Sequence, residues 1–140
     1  MTRIDFYILS ASDPQQRRLT ACKLVEKIYR QGLTVYLRTQ DAEETRLMDD
    51  LIWTFRQGSF VPHEVVGSED PQAPIQVGHE SPQGPLRDVL VNLGQDVPAN
   101  VVDYARVAEL VDQEEAVRNA GRSRYKQYQA GGFDLTTHQL

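Results

Sequence analysis

The 140-residue sequence is poor in the features that mark secreted, metal-binding and membrane proteins. Its single cysteine, Cys22, can form no disulfide within the chain and cannot build a thiolate metal cluster. No apolar run approaches the roughly 20 residues that a membrane-spanning helix needs. The first residues lack the basic, apolar and small-residue order of a signal peptide. These absences predict a cytoplasmic protein without membrane attachment.

Positive charge is also scarce, because 15 Lys and Arg residues face 20 Asp and Glu residues, for a formal net charge of −5. A protein that coats nucleic acid through its overall field needs the opposite balance, so only a local basic patch could serve that purpose. The length suits one domain over residues 1–140 with a single sizeable core. A hydrophobic content of 40% and a charged content of 25% are typical of globular proteins.

The signatures of a catalytic or cofactor site are missing as well. The loop after the first predicted strand, Ser10–Pro14, contains no glycine, so its backbone cannot approach a pyrophosphate closely. Cys22 lies beside the apolar face of a predicted helix, where a buried, unreactive thiol is expected. Three histidines fall in unrelated segments: His63, His79 and His138. None has a second ligand at helical or turn spacing, which disfavours a metal site. We therefore expect no cofactor and no enzymatic activity.

Alternating strand and helix patterns predict an α/β fold. Three helix starts share a capping pattern: Asp13 with Gln16, Asp41 with Glu44, and Asp112 with Glu115. Five short runs have the composition of strands: Ile4–Leu9, Leu33–Leu37, Ile75–Val77, Asp88–Asn92 and Val101–Tyr104. Strands that alternate with helices imply parallel pairing through right-handed crossovers. We predict a Rossmann-like three-layer α/β/α fold with a mostly parallel sheet and no phosphate-binding fingerprint, a loop over 67–85 and a polar tail over 133–140.

The last predicted helix carries a basic face. No acidic residue occurs between Ala116 and Phe133. At about 100° per residue, one face carries a mixed cationic and polar set: Arg118, Arg122, Tyr125, Lys126 and Gln129. Cations one turn apart beside a tyrosine suit an acidic peptide with an apolar side chain, because Arg can bind a carboxylate bidentately. A solvated face that complements the helix dipole and a weak nucleic-acid contact are the alternatives.

The neighbouring face of the same helix has the residues expected to pack on the sheet, namely Val117, Gly121 and Tyr128. Arg124 falls among them. The sequence gives no account of Arg124 beyond the general ability of an arginine stem to be buried while its guanidinium reaches solvent.

The only tryptophan lies in an aromatic segment, Leu51–His63, that runs from the end of a predicted helix through Gly58 and Ser59 to Pro62. Large aromatic residues at such a place either anchor a partner protein or fold back over the core. The local pattern of Trp53 and Phe60 leaves both interpretations open.

Several of these motifs together resemble the chi subunit of bacterial DNA polymerase III. The similar segments are Trp53–Phe55 with Ser59–His63, the strand Ile4–Leu9 with the long helix after it, Arg122–Tyr128, and Gly132–Leu135. The resemblance spans nearly the whole chain. It implies a non-catalytic accessory subunit of the clamp-loader complex that binds two partners, the psi subunit and the acidic C-terminal tail of single-stranded DNA-binding protein. Nucleic acid would then be reached only indirectly.

The resemblance also implies which residues make these contacts. Arg122, Tyr125 and Lys126 match positions that bind the tail, with Val111 and Arg118 in support. Gln129 stands where a family member can carry another arginine. Trp53 and Phe60 match aromatics at the surface that meets psi, a surface that a helicase partner could share. The rival functions are a small-molecule or nucleotide-binding Rossmann-like domain and a direct nucleic-acid binder.

Overall fold

The computed structural model describes residues 2–58, 60–67 and 72–140. Within these ranges the chain forms seven strands: β1 (Arg3–Ile8), β2 (Val35–Arg38), β3 (His63–Val65), β4 (Ile75–Gly78), β5 (Val89–Asn92), β6 (Arg106–Val111) and β7 (Asp134–Gln139). It also forms three α-helices: α1 (Pro14–Arg30), α2 (Ala42–Thr54) and α3 (Glu115–Ala130). The predicted α/β fold is confirmed.

The strands form one sheet in the order β3-β4-β2-β5-β6-β1-β7, and every pair of neighbours is parallel. The sheet is thus wholly parallel over the described residues, where the sequence predicted a mostly parallel one. Helices α1 and α2 pack on one face, through residues such as Val25 and Met48. Helix α3 packs on the other face, where Tyr128 joins Phe6 and Leu90. These are the three predicted layers.

Two of the three predicted helix caps are confirmed. The side chain of Asp13 accepts a hydrogen bond from the backbone of Gln15, and that of Asp41 accepts one from Glu44. The third prediction is wrong, because α3 is capped by Glu114 and not by Asp112. Asp112 is fully buried, and its carboxylate lies 3.7 Å from the guanidinium of Arg17. Its side chain therefore faces the core one turn before the helix begins.

The predicted strand Val101–Tyr104 is also wrong. Residues Val101–Asp103 form a short 3-10 helix after Asn100, whose φ of 62° is left-handed. The strand comes later, as β6. An acidic residue, Glu109, interrupts its apolar pattern yet is fully buried. A charge at the centre of a strand is rare unless it is paired, and its partner is distant in the sequence.

The tail predicted as merely polar forms the edge strand β7. It pairs with β1 along its whole length, with Thr137 opposite Phe6 and Gln139 opposite Ile8. An edge strand tolerates polar residues because one side of it meets solvent. The predicted loop over 67–85 contains β4, as expected, but residues 68–71 of it lie outside the described ranges, as does Ser59 in the aromatic segment. Cys22 is buried as predicted, and burial raises the pKa of its thiol to about 12.

Candidate functional site

Helix α3 approaches the sheet closely because Gly121 lies over β6. A Cβ atom added at this position would come within 2.8 Å of Val111 Cγ2, which is closer than side chains pack. Tyr128, one turn from the helix end, is buried against Phe6 at a ring distance of 6.0 Å. The predicted packing of Gly121 and Tyr128 is confirmed. This contact fixes which face of α3 points outward.

A groove of about 380 Å³ opens between α3 and the carboxyl ends of β6, β1 and β7. Its floor is apolar and includes Phe6, Ile8 and Val111. The ring of Tyr125 forms a wall and meets Phe6 edge to face at 5.3 Å. Polar side chains from β7 and the β6–α3 connection complete the lining: Gln113, Thr137 and Gln139. The groove therefore offers an apolar hollow with hydrogen-bonding groups at its edge, the composition usual for ligand sites.

The cationic rim of this groove comes from α3. Arg118 and Arg122 line the groove, and Lys126 lies exposed one turn beyond Arg122. None of the three forms an ion pair within the described ranges. The Nε atom of Arg118 is buried without a hydrogen-bond partner in the described part of the chain. A desolvated donor without an acceptor is costly, so an anionic ligand in the groove would relieve that cost.

The structure brings together only part of the predicted site. Val111, Arg118, Arg122 and Tyr125 all line the groove. Lys126 and Gln129 are exposed on the same helix but outside the lining.

Sequence reasoning missed the residues that the strands contribute, namely Phe6, Ile8, Thr137 and Gln139. The alternation of β1 could have placed Phe6 and Ile8 on one face. No local signal could have found the other two, because the tail was not predicted to be a strand.

Arg124 lies on the side of α3 that faces the sheet, away from the groove. Its guanidinium does not reach solvent. Arg124 is 2% exposed, and its Nε donates to the carboxylate of Glu109 at 3.0 Å. Its Nη1 donates to the carbonyl oxygen of Gln95 at 2.8 Å. The same carboxylate accepts from the hydroxyl of Tyr128 at 2.7 Å and from the amide of Asn92. Burial raises the pKa of Glu109, and these donors oppose that shift. The hydrogen bonds from Arg124 and Tyr128 to Glu109 hold α3 against β6.

Trp53 and Phe60 belong to the part of the chain next to β3, at the edge of the sheet opposite to β7. Trp53 is 50% exposed and Phe60 is 79% exposed. The Trp53 ring leans on the ring of buried His63 at 4.5 Å, and His63 is held by the carboxylate of Asp49 at 2.9 Å. Phe60 therefore does not cover the core, whereas Trp53 covers the buried His63 and leaves half of its own surface to solvent. Exposed aromatic side chains are frequent anchors of protein interfaces.

A buried arginine connects the first turn of α1 to the carboxyl ends of two neighbouring strands. Arg17, in the first turn of α1, is buried, and its Nη1 donates to the carbonyl oxygens of Leu93 and Leu110. Those carbonyls lie at the carboxyl ends of β5 and β6. The arginine therefore holds α1 against the sheet through these two hydrogen bonds.

The described residues contain neither a metal-binding cluster nor a membrane-spanning helix. No cluster of three or more His, Cys, Asp or Glu side chains is placed to hold a metal ion. None of the described helices has both the length and the apolarity to cross a membrane.

Comparison with solved structures reports on the fold. The crystal structure of T4 UvsW matches 99% of this chain with a TM-score of 0.72 and 12% identity. The chain spans 41% of that protein, so the likeness concerns one part of it. At this identity the match shows a shared α/β architecture.

Comparison with protein families and curated sequences reports on descent. The family model described as DNA polymerase III chi subunit, HolC, matches residues 1–136. The DNA polymerase III subunit chi of Pseudomonas aeruginosa is 41% identical over 140 residues, which cover 100% of this chain and 98% of the relative. Those of Haemophilus influenzae and Escherichia coli are each 28% identical, over 96% and 98% of this chain and 95% and 97% of the relatives. The chain belongs to the DNA polymerase III chi subunit family.

Proposed function

We propose that this protein is a non-catalytic adaptor of the polymerase, with one surface for the acidic C-terminal tail of single-stranded DNA-binding protein and another for the psi subunit of the clamp-loader complex. The groove beside α3 takes the tail, and the surface of Trp53 and Phe60 takes psi. The observation that carries this proposal is an apolar groove rimmed by arginines that no acid of the described chain neutralises.

The groove suits an acidic peptide that ends in an aromatic residue. The apolar floor formed by Phe6, Ile8 and Val111 accepts the terminal ring. Arg118 and Arg122 are placed at the rim to bind the terminal carboxylate, and a charge-assisted pair of this kind is stronger than a neutral hydrogen bond. Lys126 continues the cationic strip for the acidic residues that precede the terminus. Gln129 extends it with a neutral group, which gives a weaker pull than an arginine would.

The charge distribution of the chain favours the same ligand over nucleic acid. The protein has a net charge of −5, so its overall field repels DNA. Three cations make few phosphate contacts, and such binding is weak and falls steeply with salt. A short acidic peptide, by contrast, needs only the strip and the adjoining groove. We therefore expect contact with DNA to pass through the DNA-binding protein.

The two surfaces lie on different parts of the molecule. The groove adjoins β1 and β7 at one edge of the sheet, whereas His63, which supports Trp53, begins β3 at the other edge. Two modest affinities in one body raise the local concentration of each partner near the other. This is how an adaptor without an active site would hold the polymerase on coated template.

Calorimetry with a synthetic acidic peptide ending in phenylalanine tests the groove. Arg122→Ala is expected to weaken binding by about 1–3 kcal/mol, because a charge-assisted hydrogen bond is lost. Arg46→Ala removes the same charge from the exposed surface of α2 and is the matched control. Amidation of the peptide terminus should weaken binding to the wild type similarly. Equal affinities for Arg122→Ala and Arg46→Ala would contradict the proposal.

The second surface is tested in parallel by pull-down with psi. Trp53→Ala and Phe60→Ala should each reduce capture of psi and leave peptide binding in the groove unchanged. Since Phe60 is mostly exposed and Trp53 is half exposed, circular-dichroism melts should show a folded protein for both variants. Retention of psi by both variants would place its interface elsewhere.

A further inference from the structure

A second cleft, of about 360 Å³, lies on the α3 side of the sheet at the carboxyl ends of β2, β4 and β5. No residue of the three described α-helices lines this part of the face. Its walls are the loop after β4, at residues 79–82 and 86, and the connection after β5, at residues 96–104. We call it the loop cleft. It is separate from the groove beside α3, and the two share no lining residue.

The topology places the loop cleft where parallel sheets bind ligands. After β2 the chain crosses to the face of α1 and α2, where Met48 and Ile52 are buried. After neighbouring β5 it crosses to the opposite face, where Val101 and Tyr104 pack. A crevice opens between strands whose connections leave in opposite directions, and ligands of open α/β sheets bind in such crevices. The position therefore indicates a site, while its side chains decide which ligand it takes.

The walls of the loop cleft are held in place by the chain itself. The hydroxyl of Tyr36 donates to the carbonyl oxygen of Glu80, which pins the loop after β4 over the sheet. Arg38 donates to the Asp96 carbonyl at 3.1 Å and carboxylate at 2.7 Å, which pins the connection after β5. Arg87 fixes the base of the first loop through the carbonyl oxygens of Pro85 and Ala73. A preformed crevice loses little entropy on binding.

The lining combines an apolar interior with an acidic rim. Tyr36, Leu90, Val97 and Tyr104 form the inner surface, and Leu86 is 60% exposed at its mouth. The hydroxyl of Tyr104 makes no hydrogen bond within the described ranges and is free to accept one. Three carboxylates border the cleft: Glu80, Asp96 and Asp103.

The charge of the rim excludes phosphate ligands. Arg38 is the one guanidinium among the described lining residues, so its formal charge leaves a net charge of −2 with His79 counted as neutral. Arg38 is already bonded to Asp96 and to Asn92, and its hydrogen bond lowers the pKa of Asp96. Among the described residues, the one basic side chain paired with either Glu80 or Asp103 is His79, which lies 3.5 Å from Glu80. An anion would meet these carboxylates, whereas a cation would be attracted.

We propose that the loop cleft is a docking site for a basic side chain, Lys or Arg, carried with apolar neighbours on a segment of a partner protein. The aliphatic stem lies along Leu86 and Val97. The cationic head donates to the free hydroxyl of Tyr104 and to the carboxylates of Glu80 and Asp103. An apolar neighbour of the basic residue covers the exposed part of Leu86. This partner is additional to the two in the proposed function.

Titration of the ¹⁵N-labelled full chain tests the proposal by NMR. The probe is the peptide acetyl-Leu-Arg-Leu-amide, with acetyl-Leu-Gln-Leu-amide as its matched neutral control and ATP as an anionic one. The arginine peptide should shift amide signals within residues 78–86 and 96–104, and the two controls should leave them unchanged. Equal shifts with the glutamine peptide, or shifts with ATP, would overturn the proposal. Shifts with free arginine as strong as those with the peptide would also overturn it, by assigning a small-molecule site.

Charge removal at the rim provides the second arm. Glu80→Gln combined with Asp103→Asn should weaken binding of the arginine peptide about tenfold, which corresponds to about 1.4 kcal/mol of binding free energy. Glu43→Gln combined with Asp50→Asn changes the net charge equally on the exposed surface of α2, and it should bind as the wild type does. If the two double variants weaken binding equally, only the overall charge matters and the site is refuted. Both should bind the acidic peptide at the α3 groove at least as well as wild type, so a failure here is distinct from a failure of the proposed adaptor role.

Discussion

Replacing Arg124 with methionine removes the cation from the buried cluster that joins α3 to the sheet. Methionine keeps the unbranched stem and helix propensity of the arginine. Two interactions are lost: the ion pair with Glu109 at 3.0 Å and the hydrogen bond to the Gln95 carbonyl oxygen at 2.8 Å. The Tyr128 hydroxyl then donates to a carboxylate that has no cation beside it. Glu109 is left with Asn92 and Tyr128 as its only donors within the described ranges.

The expected loss in the free energy of unfolding is large because neither partner meets solvent. Arg124 is 2% exposed and Glu109 is 0% exposed. Breaking a buried pair by removing one member typically costs about 3–5 kcal/mol, since it leaves an uncompensated buried charge. A domain of this size is stable by only about 5–15 kcal/mol. The variant is therefore expected to fold but to unfold at markedly lower urea concentration.

The loss should depend on pH in a defined direction. Burial raises the pKa of Glu109 in the folded state, and Arg124 opposes that rise, so removing Arg124 raises the pKa further. The folded variant then holds a proton that the unfolded chain releases above its usual pKa of 4.5. Its stability rises as the pH falls from the folded pKa toward 4.5, by at most about 1.4 kcal/mol per pH unit. The deficit relative to wild type should be larger at pH 8 than at pH 5.

Urea unfolding followed by circular dichroism at both pH values measures these effects. Arg122→Met makes the same substitution two residues away on the exposed face and should change stability by less than about 0.5 kcal/mol. Adding Glu109→Gln to Arg124→Met removes the unpaired charge and should restore part of the lost stability at pH 8. The reasoning is refuted if Arg124→Met costs no more than Arg122→Met, or if its cost is the same at both pH values.

Two further predictions concern stability. Burial alone would raise the pKa of Asp5, but hydrogen bonds from His138 and Arg106 outweigh it and lower the pKa below 3.8. The stability supplied by the ionised Asp5 carboxylate is present above pH 3.8 and is lost as the pH falls through the folded pKa. Asp5→Asn should therefore unfold at lower urea concentration than wild type at pH 7. It should also lose less stability than wild type when the pH is lowered. Gly121→Ala should lower the melting temperature although alanine favours helix by about 1 kcal/mol, because the new Cβ would lie 2.8 Å from Val111 Cγ2. The double variant Gly121→Ala with Val111→Ala should lose less stability than the sum of the losses of the two single variants, because the smaller side chain at position 111 leaves room for the new Cβ.

The groove shows where prediction from the sequence reached its limit. Helical spacing identified Arg118, Arg122 and Tyr125, because neighbours on one helix face are fixed by 3.6 residues per turn. Val111 entered only through the resemblance to a family. Thr137 and Gln139 were missed, because pairing between β1 and β7 joins residues more than 130 positions apart, and such pairing leaves no periodic signal. Arg124 was misjudged for the same reason, since its partner Glu109 lies on another element.

The sequence by itself determined the elements that depend on near neighbours: the capped helices α1 and α2, the apolar strands β1, β2, β4 and β5, and the concentration of positive charge on α3. Burial and distant pairing were decided only in three dimensions. The tertiary structure exposed Trp53 and Phe60, turned the polar tail into strand β7, and aligned the carboxyl ends of parallel strands to open both the α3 groove and the loop cleft. The physical reason is that local patterns set backbone conformation, whereas the solvent exposure and charge environment of a side chain depend on which distant segments pack around it.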